Sequence, residues 1–143
     1  MKYLVAEKFK SIQGEGVYTG TPMAFIRFVG CSVGKRICQH CDTDFERTMP
    51  WRGGGEFDDR DLAFWFRDHQ HVCLTGGEPF DQDLVPLIEV MKNSSVFEDH
   101  GKTFHIETSG TKWPSWSDTS LLARFPQGKL WICVSPKPGL MKG

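Results

Sequence analysis

Four short apolar runs recur along the chain, each followed by turn residues. They are MAFIRFVG (23–30), VCLTG (72–76), TFHIET (103–108) and LWICVS (130–135). Their lengths and their β-branched and aromatic content read as strands. Helical patterns separate them. Asp58 or Asp59 can cap a helix over 60–70 with Leu62, Trp65 and Phe66 on one side. In DLVPLIEVMKN (83–93) Asp83 caps, Pro86 sits in the first turn, and Leu84, Leu87, Ile88 and Met91 share a face. SDTSLLARF (117–125) reads as a short third helix. Strand then helix, three times over, implies parallel strands joined by crossovers, an α/β fold. Before this pattern come a strand at 3–9, a glycine-rich hairpin turn SIQGEG (11–16) and a turn at Gly20–Pro22. Residues 31–51 read as a long loop and RGGGEF (52–57) as a breaker.

In parallel sheets ligands gather at the carboxyl ends of the strands. The chemically suggestive residues all fall there: a cysteine loop after the first core strand, TGGEP after the second, ETSGT after the third and SPK after the fourth. One domain spanning 1–143 accommodates this plan, because 143 residues with 39% hydrophobic content can bury a core without staples. A formal net charge of −1 and no Lys/Arg run argue against a broad grip on nucleic acid or an anionic membrane. The apolar run of MKYLVAEKFK is too short for a signal peptide, and no stretch approaches the ~20 apolar residues of a membrane helix, so a cytoplasmic protein is expected. In that reducing compartment five cysteines, an odd number, point to a metal or to catalysis more than to disulfides.

Three of the five lie in GCSVGKRICQHCDTDF: Cys31, then Cys38 after six residues, then Cys41 after two. Three thiolates on one loop suit a soft metal or a cluster. A structural zinc site wants four ligands, and His40 would have to turn into the same centre as both neighbouring cysteines. A cubane iron–sulfur cluster held by three thiolates keeps one iron open to a substrate or cofactor. Three packed thiols without metal are the remaining alternative. Cys73 and Cys133 sit inside apolar strands and read as core.

Together SIQGEG (11–16), GTPMAFIRFVGC (20–31), CQHCDTDF (38–45), TGGEP (75–79), ETSGT (107–111) and CVSPK (133–137) resemble the radical S-adenosylmethionine superfamily, and within it the 7-carboxy-7-deazaguanine synthase family. The resemblance runs through nearly the whole chain. It implies a partial, abridged (β/α) barrel, a 4Fe-4S cluster on Cys31, Cys38 and Cys41, S-adenosylmethionine at the open iron, and Mg²⁺ at Thr43. It also implies reductive cleavage of S-adenosylmethionine, hydrogen removal from 6-carboxytetrahydropterin, ring contraction and loss of ammonia on the way to 7-deazapurine nucleosides such as queuosine. His40, Cys41, Asp42, Gly76, Gly77, Glu78, Ser135, Pro136 and Lys137 would hold S-adenosylmethionine, and Ile12, Gln13, Gly14, Glu15, Arg27 and Thr75 the pterin. An electron-donating reductase and a homodimer follow as partners.

Residue chemistry is compatible with these roles. Gly14, Gly76 and Gly77 let backbone approach a ligand, although each also suits a plain turn. Gln13 offers donors and an acceptor, and Glu15 can accept from ring N–H groups. Arg27 alternates with Ile26 and Phe28, so it faces the other way; facing inward, it needs a partner such as a substrate carboxylate. The threonine hydroxyl is a hard donor suited to magnesium, with Asp42 and Asp44 beside it.

The resemblance departs in three places. Most of the superfamily has three residues between the first two cysteines, Ser109 stands where an asparagine is usual, and the family's further strands are not found after KPGLMKG. A truncated piece, or a compact form completed by a partner subunit, is expected. Two other functions remain open: a radical activase acting on a partner protein, and a non-catalytic zinc module.

Overall fold

In a computed structural model that describes residues 1–35, 37–39, 41, 43–93, 102–112, 125 and 128–137, the four apolar runs become strands. They are β2 (Pro22–Phe28), β4 (His71–Gly76), β5 (Thr103–Thr108) and β6 (Leu130–Val134). β2 pairs with β4, β4 with β5 and β5 with β6, all parallel, as the alternation of strand and helix predicts. The N-terminal run is β1 (Lys2–Ile12), longer than the expected 3–9, and it pairs antiparallel with β2. The breaker expected at 52–57 is corrected: β3 (Gly55–Asp58) lies antiparallel to β1. Gly54, just before it, allows close approach, for a Cβ there would lie 2.1 Å from the Ala6 carbonyl oxygen. The order is β3-β1-β2-β4-β5-β6, an open sheet among the described residues.

Helix α1 (Asp59–Phe66) begins where Asp58 accepts from the Asp61 N–H at 2.8 Å, and it ends four residues earlier than the expected 70. Helix α2 (Val85–Asn93) has Asp83 accepting from the Val85 N–H at 3.1 Å. Both pack on one face of the sheet. Leu62, Phe66, Leu84, Leu87, Ile88 and Met91 meet Ala24, Ile26 and Phe28 of β2, Val72 and Leu74 of β4, and Phe104 and Ile106 of β5. The helix expected at 117–125 lies outside the described residues but for Phe125, whose ring meets Phe104 at 5.6 Å. No helix among the described residues is long and apolar enough to cross a membrane.

The opposite face of the sheet carries the alternate side chains. Met23, Phe25 and Cys73 are buried there under Phe9 and Tyr18. Tyr18 lies edge-on to His105 at 4.5 Å and to Trp131 at 5.0 Å. The Thr103 hydroxyl sits between His71 Nδ1 at 2.5 Å and His105 Nε2 at 3.1 Å. Burial, then the neighbouring His71, holds His105 down at about 4, against the opposing pull of Glu107. A histidine kept neutral in the fold adds stability above its unfolded value near 6.5 and loses it as pH falls through about 4. We therefore expect unfolding by urea to show a drop of about 2–3 kcal/mol between pH 7 and pH 4 from this residue. In His105→Gln that segment of the pH profile should flatten; an unchanged profile would remove His105 as its source.

Candidate functional site

The cysteine loop leaves β2 at its carboxyl end. Cys38 and Cys41 are set by tight turns: the Cys38 N–H donates to the Gly34 carbonyl and the Cys41 N–H to the Cys38 carbonyl, both at 3.1 Å. All three thiols are partly buried, and all three line one cavity of about 220 Å³. Thr75, Gly76 and Gly77 from the end of β4, Glu107, Thr108 and Ser109 from the end of β5, and Ser135 and Lys137 after β6 share that cavity. The expected gathering at the strand ends is thus present in three dimensions. Lys137 Nζ donates to Ser135 Oγ at 3.0 Å. Among the described residues no three His, Cys, Asp or Glu converge as they would around a single metal ion. Three thiols around an open space are a donor set that a soft metal or a cluster could use.

Gly76 and Gly77 reach the cavity for a reason unlike the one their sequence suggests. A Cβ on Gly77 would lie 1.9 Å from the Gly30 carbonyl oxygen, and one on Gly76 2.4 Å from the Phe28 nitrogen. Gly76 also has φ +131°, a conformation that side-chain-bearing residues rarely adopt. The glycines are therefore required by contact with the end of β2, whatever ligand lies beyond. Glu78, expected to hold a cofactor with its carboxylate, is fully buried and turned into the protein. One oxygen accepts from the Phe80 N–H at 3.1 Å and the Thr108 hydroxyl at 2.7 Å; the other accepts from the Ser109 N–H at 3.0 Å and the Ser109 hydroxyl. It joins the ends of β4 and β5 and does not line the cavity.

On the face opposite the helices, Glu7, Arg27 and Thr75 stand abreast on β1, β2 and β4. Arg27 does face inward: its Nη1 donates to the Thr43 hydroxyl at 2.8 Å, and its Nε lies 3.2 Å from Glu7 as an ion pair but is buried without a hydrogen bond. The oxygen expected to bind magnesium thus accepts from a guanidinium. Thr43 itself lines the same cavity as the three thiols. His40 and Asp42 lie outside the described residues.

Gln13 is buried and donates to Glu107 at 2.9 Å, while its own carbonyl accepts from the Glu15 N–H at 3.1 Å. Glu15 lines the cavity; Ile12, Gln13, Gly14, Arg27 and Pro136 are not among its lining residues. Ile12 is 64% exposed, and a Cβ on Gly14 would meet nothing within 4 Å. Glu107 is a polar lining residue to which sequence reasoning gave no role, as are Thr108 and Ser109. Alternation in TFHIET was the available signal, since it puts Thr103, His105 and Glu107 on one face, away from Phe104 and Ile106. Burial, then Glu107, raises the thiol pKa of Cys73, and burial, then Glu107 and Glu15, raises that of Cys133. Cys73 is fully buried, as expected of a core residue, whereas Cys133 is only partly buried and lies outside the core, which corrects that reading of it.

Comparison with known proteins points in one direction. The chain is 36% identical to a 7-carboxy-7-deazaguanine synthase of Bradyrhizobium diazoefficiens over 97% of its length and 65% of the relative's. It is 37% identical to one from Bordetella pertussis, covering 96% of this chain and 64% of that one. The crystal structure of QueE from Escherichia coli matches with a TM-score of 0.69 and 31% identity over 96% of this chain and 61% of that chain. No family model matches. The chain therefore spans somewhat less than two thirds of the curated relatives' length.

Proposed function

We propose that this chain, related over nearly its whole length to the 7-carboxy-7-deazaguanine synthases, forms the cluster and cofactor site of such an enzyme. The proposed reaction converts 6-carboxy-5,6,7,8-tetrahydropterin to 7-carboxy-7-deazaguanine with loss of ammonia. The observation that carries the reading is the sharing of one cavity by Cys31, Cys38 and Cys41 with the ends of β4, β5 and β6.

Bound there, a 4Fe-4S cluster and S-adenosylmethionine would supply one-electron cleavage and a radical able to abstract hydrogen. The three thiols would hold the cluster. Ser135 and Lys137, with the backbone at Gly76 and Gly77, offer donors and acceptors to the amino acid end of S-adenosylmethionine. Glu15, Thr75 and Glu107 present acceptors and a hydroxyl suited to the N–H edges of a pterin. Gln13 fixes Glu107 from below, so its role is to orient a substrate contact. Arg27, already paired with Glu7, would reach a substrate carboxylate only by exchanging partners. An electron-donating reductase, a cytoplasmic setting and a homodimer belong to the same proposal; no step is assigned to magnesium.

Anaerobic reconstitution tests it. Iron and sulfide should reach about four of each per chain with a brown chromophore. The reduced protein should then cleave S-adenosylmethionine and, supplied with carboxytetrahydropterin, release the deazaguanine. One zinc per chain and no sulfide would end this reading in favour of a zinc module. Cluster and cleavage with no effect of the pterin would favour an activase.

A further inference from the structure

Cys38 and Cys41 are placed by their own turns, but Cys31 is separated from Cys38 by six residues and has no such turn among the described residues. Its position depends on what holds its neighbours. On one side the Gly30 N–H donates to the Phe45 carbonyl at 2.8 Å, and the Gly30 carbonyl accepts from the Glu78 N–H at 3.1 Å. On the other side the Ser32 N–H donates to Asp81 Oδ2 at 2.6 Å. Asp81 ends the 3-10 turn Pro79–Asp81 that begins at the last residue of TGGEP, and its side chain is only 16% exposed. Its second oxygen lies 2.5 Å from Lys112 Nζ, just beyond ETSGT. One carboxylate thereby joins the start of the cysteine loop to the segments leaving β4 and β5.

We propose that Asp81 is a positioning residue for Cys31, held in place by Lys112; as a statement about a cluster ligand it rests on the function proposed above. The Asp81 carboxylate accepts a directed, charge-assisted bond from the Ser32 N–H on one oxygen, and its other oxygen is held by the Lys112 ammonium as an ion pair without a hydrogen bond. Ser32 is the residue next to Cys31, so fixing its N–H fixes the peptide that carries the thiol. The Lys112 contact stops the Asp81 carboxylate from turning to solvent. Backbone bonds at Gly30 hold Cys31 from the β2 side, and the Asp81 tether holds it on the side that faces the six-residue gap to Cys38.

The test does not need the cluster. In the metal-free full chain, alkylation by iodoacetamide is followed at each cysteine by mass spectrometry. Taking the limiting rate at high pH separates access from thiol acidity. Asp81→Leu should raise the rate at Cys31 about fivefold relative to Cys38 and Cys41, a local loosening. Cys73, fully buried, should stay unreactive and reports general unfolding. Asp81→Asn keeps an acceptor for the Ser32 N–H and should fall between Asp81→Leu and the parent, as should Lys112→Met. After reconstitution, Asp81→Leu should also hold less iron and sulfide. If Cys73 reacts in Asp81→Leu, the two milder variants decide, a selective rise at Cys31 supporting the role. Equal rates at the three loop thiols in every folded variant would overturn it. Failure of the parent chain to take up iron would instead count against the proposed function and leave the alkylation result standing.

Discussion

Gly77→Ala should cost more than ~3 kcal/mol and lower the midpoint of thermal unfolding by on the order of 10 °C, if the variant folds at all. The added methyl would lie 1.9 Å from the Gly30 carbonyl oxygen, 2.6 Å from its carbon and 2.7 Å from the Cys31 Cβ. Two of these three neighbours are backbone atoms, so no rotamer change relieves the contact. The chain must move at the end of β2, where the Gly30 carbonyl also accepts from Glu78 and where the first loop cysteine begins. Gly14→Ala is the matched control: nothing lies within 4 Å of the added carbon, and its effect should stay within about 0.5 kcal/mol. Thermal and urea unfolding of both variants check the pair. A Gly77→Ala protein within about 1 kcal/mol of the parent would show that β2 and the TGGEP turn are not packed as described.

These two glycines mark how far the sequence could be read. Gly14 and Gly77 look alike in a sequence, each in a glycine-rich stretch next to polar residues. Only the approach of a second backbone separates them, and that depends on strand pairing. The parallel core was legible because Ile26, Phe28, Leu74, Phe104 and Ile106 lie at alternating positions in apolar runs, and because α1 and α2 carry apolar stripes to cover them. β3 was not legible, since three glycines read as a break when judged by propensity. In the fold one of them, Gly54, allows close approach to Ala6 of β1. The Glu7–Arg27 pair was hidden for another reason. β1 shifts register between Val5 and Glu7, and without that irregularity the residue opposite Arg27 cannot be identified. The clustering of cysteines with strand-end motifs was legible, because parallel topology alone sends those ends to one edge of the sheet. Whether a polar side chain there faces the cavity or the protein was not. Glu78 and Glu107 are both acids at strand ends; the first turns inward, and the second lines the space.

Glu78→Gln should destabilise the chain by about 2–4 kcal/mol, a loss set by backbone donors left without an acceptor. The carboxylate accepts from two backbone N–H groups, Phe80 on one oxygen and Ser109 on the other. An amide has one oxygen, so either orientation turns an NH₂ toward a buried N–H. The hydroxyls can adapt: Thr108 and Ser109 can rotate, and Ser109 Oγ has Thr111 Oγ1 at 2.8 Å. The backbone donors cannot. Hydrogen exchange distinguishes this from general loosening, because the Phe80 or Ser109 amide should exchange at least tenfold faster relative to amides in the middle of β4. The same variant separates two roles for the residue. A carboxylate that served a cofactor directly would leave the apo fold intact when replaced by an isosteric amide, and the defect would surface only in cofactor binding. A carboxylate that joins β4 to β5 shows its loss in the apo chain, before any cofactor is added. Its complete burial and four internal donors place the expected defect in the apo chain. Loss of S-adenosylmethionine binding in Glu78→Gln should then follow the loss of stability and be recovered at low temperature.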